Sequence, residues 1–214
     1  TDYLNRLEKS DDRIRVIRND QALQIAENTN AAMKAATGDF IVFADHDDEL
    51  TPNALFECVK AINEKPQTLV IYTDEDKMSM DGHKFFQPHF KPDYNPDLLC
   101  TVNYICHLFV VSRKVIEKVG GLRSEFDGAQ DYDFVLRCVE AVKDEEICHI
   151  PKILYHWRCM RTPQQRIPRA SFMPLKPEDV QYRLTMREQE STQRFLRVNI
   201  WGCTERSLSE IMIR

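Results

Sequence analysis

Short apolar runs alternate along this chain with stretches in which apolar residues recur at helical spacing. That alternation predicts an α/β domain with a largely parallel sheet. Residues 13–17 read as a short β-branched strand. From 21 to 36, Leu23, Ala26, Ala31 and Ala35 mark one helical face, and Gly38 ends the helix. Residues 40–44 form an apolar run short enough for a buried central strand. Thr51 and Pro52 suit the N-cap and first position of a helix reaching Asn63. Residues 68–72 predict a second buried strand. Both buried strands end abruptly in acids, Asp45-His46-Asp47-Asp48 after the first and Asp74-Glu75-Asp76 after the second.

Residues 77–99 are looser and punctuated by Pro88, Pro92 and Pro96. Strand character returns over 104–112, and a short helix over 113–119 is stopped by Gly120-Gly121. An amphipathic helix follows over 131–142, with Phe134, Val135, Cys138 and Val142 on one face. Residues 147–151 and 153–155 close the ordered pattern. Past Arg158 the chain turns polar, with one expected helix over 177–196 and no strand pattern that continues the sheet.

Composition narrows the partners more than the fold. A length of 214 residues, 43% hydrophobic and 29% charged, suits one globular domain, or one domain plus an appendage. A net charge of −5 argues against the basic face of a nucleic-acid binder. No apolar run approaches the roughly 20 residues that span a bilayer, and no charged-then-apolar leader opens the chain, which begins at Thr1. The seven cysteines include no C-x-x-C pair, so they read as small buried hydrophobes in a reducing compartment rather than as a zinc or disulfide framework.

In open α/β sheets ligands bind beyond the carboxyl ends of the strands, where both acidic clusters fall. Asp45, Asp47 and Asp48 crowd like charges together, which is costly unless a cation joins them. Mg²⁺ or Mn²⁺ commonly bridges such carboxylates to substrate phosphates. A solvated loop whose acids favour the N-terminus of the next helix explains the tetrapeptide equally well. A calcium loop at Asp74-x-Asp76 lacks its glycine and terminal glutamate, and no G-x-x-x-x-G-K supports a P-loop.

The ordered set Asn30, Gly38-Asp39-Phe40 and Asp45-His46-Asp47-Asp48-Glu49-Leu50-x-Pro52 resembles the family 2 glycosyltransferases of the GT-A fold. Further segments resemble a bacterial polysaccharide, O-antigen or rhamnan-type branch of that family. They are Ile71-Tyr72-Thr73-Asp74-Glu75-Asp76, Phe90-Lys91-Pro92-Asp93, Pro96-Asp97-Leu98-Leu99, Asn103-Tyr104, Val119-Gly120-Gly121-Leu122-Arg123, Phe126-Asp127-Gly128-x-Gln130-Asp131-Tyr132-Asp133 and Tyr155-His156-Trp157-Arg158. The resemblance covers residues 1–158 and implies a Rossmann-like mixed sheet with flanking helices, lacking its first strands at the N-terminus. It implies an inverting, metal-dependent transfer of a sugar from a nucleotide-sugar donor to a glycan or lipid-linked glycan acceptor. It also implies a cytoplasmic protein, associated with the inner face of the membrane through regions outside this chain.

Roles follow from matching positions. Asp45 and Asp47 match the D-x-D that holds Mn²⁺ or Mg²⁺ and the nucleotide-sugar diphosphate, with Asp47 the metal ligand and Asp48 beside it. Asn30 and Asp74 fall at substrate-binding positions, Asn30 shaping the nucleotide pocket. Asp131 matches the base that takes the proton of the acceptor hydroxyl, and Gln130 replaces the neighbouring acid of the family motif; capping its own helix is the plainer role for Asp131. His156 matches a metal or diphosphate contact, or is structural. Arg158 neutralises the departing diphosphate or is a surface arginine. Tyr132 and Trp157 stack on a sugar or pack in the core. His46, His83, His89, His107 and His149 show no ligand spacing.

The tail departs from the resemblance. Read one base out of frame, Cys159-Met160, Met160-Arg161 and Arg161-Thr162 permit His, Glu and Asn, the family's continuation after Arg158. Residues 159–214 are therefore expected to be a frame-shifted, poorly packed tail. Two other readings stay open, a nucleotidyltransferase using the same acids and a non-catalytic fragment that binds metal and nucleotide.

Overall fold

The computed structural model describes residues 2–159 and the backbone of two later strands. In chain order the elements are α1 (Asp2–Ser10), β1 (Ile14–Arg18), α2 (Ile25–Ala35), β2 (Phe40–Asp45), β3 (Glu49–Leu50) and α3 (Ala54–Glu64). They continue with β4 (Val70–Ser79), β5 (Phe85–His89), α4 (Pro96–Leu99), β6 (Phe109–Ser112), α5 (Arg113–Val119), α6 (Gln130–Glu140) and β7 (Ile147–Cys159). The later strands are β8 (Val198–Cys203) and β9 (Ser209–Ile213). The helix expected over 177–196, and most of the tail expected to be frame-shifted, lie outside the described residues.

The strands form one sheet in the order β1-β9-β8-β2-β6-β4-β7-β3, with β5 paired to β4. It is mixed, as the resemblance implies, and not the largely parallel sheet that periodicity alone predicts. β4 and β7 run parallel, whereas β6 is antiparallel to both β2 and β4. The reason is the route of the chain. Residues 90–108 stay against the middle of β4, with Lys91 on Asp74 and Glu75 and His107 on Glu75, so β6 starts opposite Tyr72 and runs back toward Val70. A second correction concerns the tail: β8 pairs parallel with β2, Phe40 opposite Val198 through Asp45 opposite Cys203, and β9 joins β8 to β1. The apolar residues of β8, Val198, Ile200 and Trp201, are too few to stand out from the polar sequence before them.

The apolar runs are continuous because the central strands are covered on both faces. Ile41, Val70, Tyr72, Phe109 and Val111 pack toward α2, α5 and α6. Their alternates Val42, Ile71 and Val110 pack toward Ala54, Cys58 and Ile62, which share one face of α3 at i, i+4 and i+8 spacing. Burial pushes the Cys58 thiol up to about 12, which leaves it an inert core residue. Cys100, by contrast, is exposed. Helix α3 starts later than expected: Asn53 is its cap, and Thr51 supplies a backbone carbonyl to Ala54 N–H at 3.0 Å.

Long-range polar contacts fix the helices where periodicity cannot. Asp127 Oδ1 accepts the Ala26 N–H at 3.1 Å, so a distant carboxylate caps α2. Gly120 closes α5 with φ 81°, a left-handed conformation that favours glycine. Buried Asp133, on α6, binds Arg123 and Arg137; the Arg137 guanidinium also donates to Val119 O at 2.9 Å and Gly121 O at 2.8 Å. Burial raises the Asp133 carboxyl, but the hydrogen bonds from Arg123 and Arg137 outweigh it and hold the carboxyl below the usual range. Its stabilising contribution is therefore complete above the unfolded carboxylate value and is lost as pH falls through the lower folded value. Asp133→Asn should cost about 3 kcal/mol near neutrality, the low end for breaking a buried pair because Arg123 is partly exposed. It should also flatten the acid limb of stability against pH. Urea unfolding of both proteins from pH 3 to 7 (a range chosen to bracket the ordinary carboxylate value, about 3.9) measures this; parallel curves would refute the assignment.

Candidate functional site

β2 delivers Asp45 at its end, and the chain turns at once, with Asp48 N–H returning to Asp45 O at 3.3 Å. β7 locks this turn from the neighbouring edge through its pairing with β3, Glu49 opposite His156 and Leu50 opposite Tyr155. Asp45 N–H donates to the Tyr155 hydroxyl at 3.0 Å, and that hydroxyl donates to Asp48 Oδ2. Asp48 Oδ1 accepts the Arg158 N–H at 2.7 Å. Burial pushes the Asp48 carboxyl up to about 6, while the Tyr155 and Arg158 hydrogen bonds pull the other way.

The three acids are thereby divided. Asp48 has both oxygens engaged and braces the turn. Asp45 and Asp47 keep side chains 45% and 56% exposed, and these two carboxylates are available to a ligand. His107 Nε2 lies 3.5 Å from Asp45 Oδ2, with its ring stacked on Tyr155 at 5.0 Å between centroids. Its Nδ1 is buried with no hydrogen-bond partner. Histidine spacing gave no reason to single this residue out; a lone histidine inside the apolar run from Ile105 to Phe109 was the available signal.

Asp131 sits in the first turn of α6, where the helix dipole favours a carboxylate. Ala129, not Asp131, is the N-cap residue. Asn103 Nδ2 donates to Asp131 Oδ2 at 3.1 Å, and Gln130 Oε1 accepts the Gly128 N–H at 2.6 Å. One loop, residues 103–107, thus reaches Asp131 with its first side chain and Asp45 with its last.

The other expected site residues have different partners. Arg158 is a clamp: it donates to Asp47 O at 2.5 Å, Glu49 Oε1 at 2.5 Å and Met80 O at 3.0 Å. Its guanidinium is spent on the turn and the β4–β5 hairpin. His156 Nδ1 lies 2.5 Å from Asp76 Oδ1, and its ring packs on Phe85 at 4.4 Å. The next residue, Trp157, instead meets His107 edge-on, with Lys77 Nζ 5.8 Å from the centre of its ring. Among the described residues no three His, Cys, Asp or Glu side chains converge as a metal site.

Asp74 is buried, accepting Lys91 N–H at 2.9 Å and lying 2.9 Å from His149 Nε2. Asn30 pins α2 to the loop after α5, donating to Leu122 O at 2.7 Å and accepting Leu122 N–H at 2.8 Å. A Cβ on Gly121 would fall 2.1 Å from Asn30 Oδ1, which explains the glycine there. Tyr132 is buried and donates to Leu99 O. Its ring belongs to the core rather than to a sugar-stacking surface.

Asp45, Asp47 and Asp48 thus gather at the carboxyl end of β2, where open α/β sheets bind ligands, whereas Asp74-Glu75-Asp76, expected to close its strand, lies buried within β4. The chain belongs to glycosyl transferase family 2, whose model matches residues 1–120. It is 45% identical over 148 residues to "Uncharacterized protein y4gI" of Sinorhizobium fredii, covering 69% of this chain and 16% of that protein. It is 44% identical over 146 residues to "O-antigen biosynthesis protein RfbC" of Myxococcus xanthus, covering 68% and 11% respectively. The chain thus spans less than a fifth of the length of either relative. Among solved structures, S. aureus TarS 1-349 matches with a TM-score of 0.48 and 20% identity, covering 63% of this chain and 40% of that one. No described helix is long and apolar enough to cross a membrane.

Proposed function

We propose that this chain carries the donor acids and the acceptor base of an inverting, metal-dependent glycosyltransferase of cell-surface polysaccharide synthesis. The observation that supports this reading most is the loop 103–107, which joins Asp131 to Asp45 through Asn103 and His107. The donor is a nucleotide-sugar and the acceptor a glycan or lipid-linked glycan. Such a donor is a cytoplasmic substrate, so the reaction belongs on the cytoplasmic side, at the inner membrane face when the acceptor is lipid-linked. The name of the Myxococcus relative, an O-antigen biosynthesis protein, points to the same class of product.

Asp131 accepts the proton of the acceptor hydroxyl as its oxygen attacks the anomeric carbon. The bond to the nucleoside diphosphate breaks in line, and the diphosphate leaves with the electron pair. Asp45 and Asp47 suit Mn²⁺ or Mg²⁺, since both are exposed oxygen donors and such ions are often held by one or two carboxylates plus substrate phosphates. When bound, the cation offsets the charge that develops on the leaving diphosphate. Asp48 and Arg158 keep the turn in shape.

The test is nucleoside diphosphate release from a panel of nucleotide-sugars, with and without glycan acceptors, in Mn²⁺, Mg²⁺ or chelator. The assay uses this chain. Metal-dependent release is expected. No release with any donor would reject the reading, and cleavage that frees a nucleoside monophosphate would move the site to nucleotidyl transfer.

A further inference from the structure

Lys91 is a cation in an unusual place. Its side chain has no exposed surface, yet it stands between Phe90 and Pro92 in a stretch with no charge pattern to predict an ion pair. Its ammonium donates to Glu75 Oε2 at 3.3 Å, to Ile105 O at 3.0 Å and to His107 O. All three of its protons are therefore used. Glu75 completes a ring of contacts: the same Oε2 accepts the His107 N–H at 2.6 Å, and Oε1 lies 3.4 Å from His89 Nδ1. Burial pulls the Lys91 ammonium down, while the His89 hydrogen bond and the Lys91 charge hold Glu75 below the usual carboxylate range despite its burial.

The pair is poorly explained as a contribution to stability, since buried ion pairs seldom outperform apolar residues of the same size. Its contacts fall instead on the backbone of residues 105–107. That segment carries Asn103 to Asp131 at one end and His107 to Asp45 at the other. Asn103 is tied to it directly, because its Oδ1 accepts the Cys106 N–H at 3.4 Å. The segment belongs to no strand or helix before β6 begins at Phe109; Tyr104, Ile105 and Leu108 anchor it in the core, and the ion pair holds its backbone polar groups at 105 and 107.

We propose that the Lys91–Glu75 pair is a positioning element that holds loop 103–107 and thereby sets the acceptor base against the donor acids. This rests on the glycosyltransferase reading for its catalytic consequence, but not for its structural one. Lys91 and Glu75 touch neither substrate nor metal; they act through Asn103 and His107.

The test removes both charges together, because either one left alone would be an unpaired buried ion. Lys91→Met with Glu75→Gln deletes the bonds to the 105 and 107 carbonyls and keeps an acceptor for the His107 N–H. Amide hydrogen exchange should quicken over 103–108 and stay unchanged in β2, β4 and β7. Transfer kcat should fall about 100-fold, the scale of a misplacement near 1 Å, while the donor KM shifts less than about twofold. Asn103→Ala alone should also lower kcat, and combining it with the double variant should add little, since the changes act along one path. A Lys91→Arg variant that keeps the charge and the donors should recover part of the rate.

Unchanged exchange over 103–108 overturns the proposal, as do losses that add in full between Asn103→Ala and the double variant. If this chain turns over no donor, the glycosyltransferase reading fails instead, and the exchange result alone decides whether the pair holds the loop.

Discussion

Asp131→Asn should slow glycosyl transfer by about 10²- to 10⁴-fold, the usual worth of a positioned general base. The substitution is nearly isosteric, and its amide oxygen still accepts from Asn103 Nδ2, which lies 3.1 Å from the carboxylate in the native protein. The fold should therefore survive. Ala129 occupies the N-cap position, so no capping bond is lost. Only the attraction of a carboxylate to the helix N-terminus disappears, which is worth about 0.3–1 kcal/mol. Donor binding should be preserved, because the residues assigned to the diphosphate lie on the β2 turn. The loss thus belongs in kcat rather than in the donor KM. Steady-state transfer kinetics, with donor binding measured separately by calorimetry, would show it. A kcat within threefold of wild type (well inside about 1.4 kcal/mol, the equivalent of tenfold) would remove Asp131 from the role of base.

Asp131 illustrates what could be read in advance. Its place in the ordered motif and at the start of an amphipathic helix was visible in the sequence, and so was the run of acids closing β2. What was hidden is the division of labour among those acids. Asp45, Asp47 and Asp48 are equivalent in a string of letters, and only the Tyr155 hydroxyl and Arg158 N–H, over a hundred residues away, single out Asp48 as the brace. The same long-range dependence hid Lys91, Asn103 and His107 as a unit, since each finds its partner across the fold. Arg158 and Tyr132 fit the motif but are spent on backbone carbonyls and the core. Among the elements, β5 escaped because this five-residue strand is mostly exposed, pairs with β4 through a bulge and contains Pro88. β6 was legible as a strand, but its antiparallel direction depends on the route of residues 90–108, which hydrophobic periodicity does not encode.

The division among the three acids carries the other large effect. Asp47→Asn should raise the Mn²⁺ concentration for half-maximal activity by at least about 100-fold. Loss of a group that merely orients a metal ligand already costs about 10- to 100-fold, and under the proposed function the substitution takes the charge from the ligand itself. Asp45→Asn should behave similarly, and should in addition leave His107 Nε2 without the carboxylate that now lies 3.5 Å away. Asp48→Asn should be far milder. Its amide oxygen can still accept the Arg158 N–H, and its amide nitrogen can donate to the Tyr155 hydroxyl, so the turn keeps its shape. Asp48→Ala removes both contacts and should lower thermal stability and activity together, without selectively changing the metal requirement. Initial rates of donor turnover against Mn²⁺ concentration for the four variants, each beside its melting temperature, separate the cases. Should Asp48→Asn lose metal activation as severely as Asp47→Asn, the brace would itself be a ligand, and the donor acids would have to be reassigned. Should Asp47→Asn instead keep the wild-type metal response, Asp45 would be left as the sole carboxylate of the D-x-D in contact with the cation.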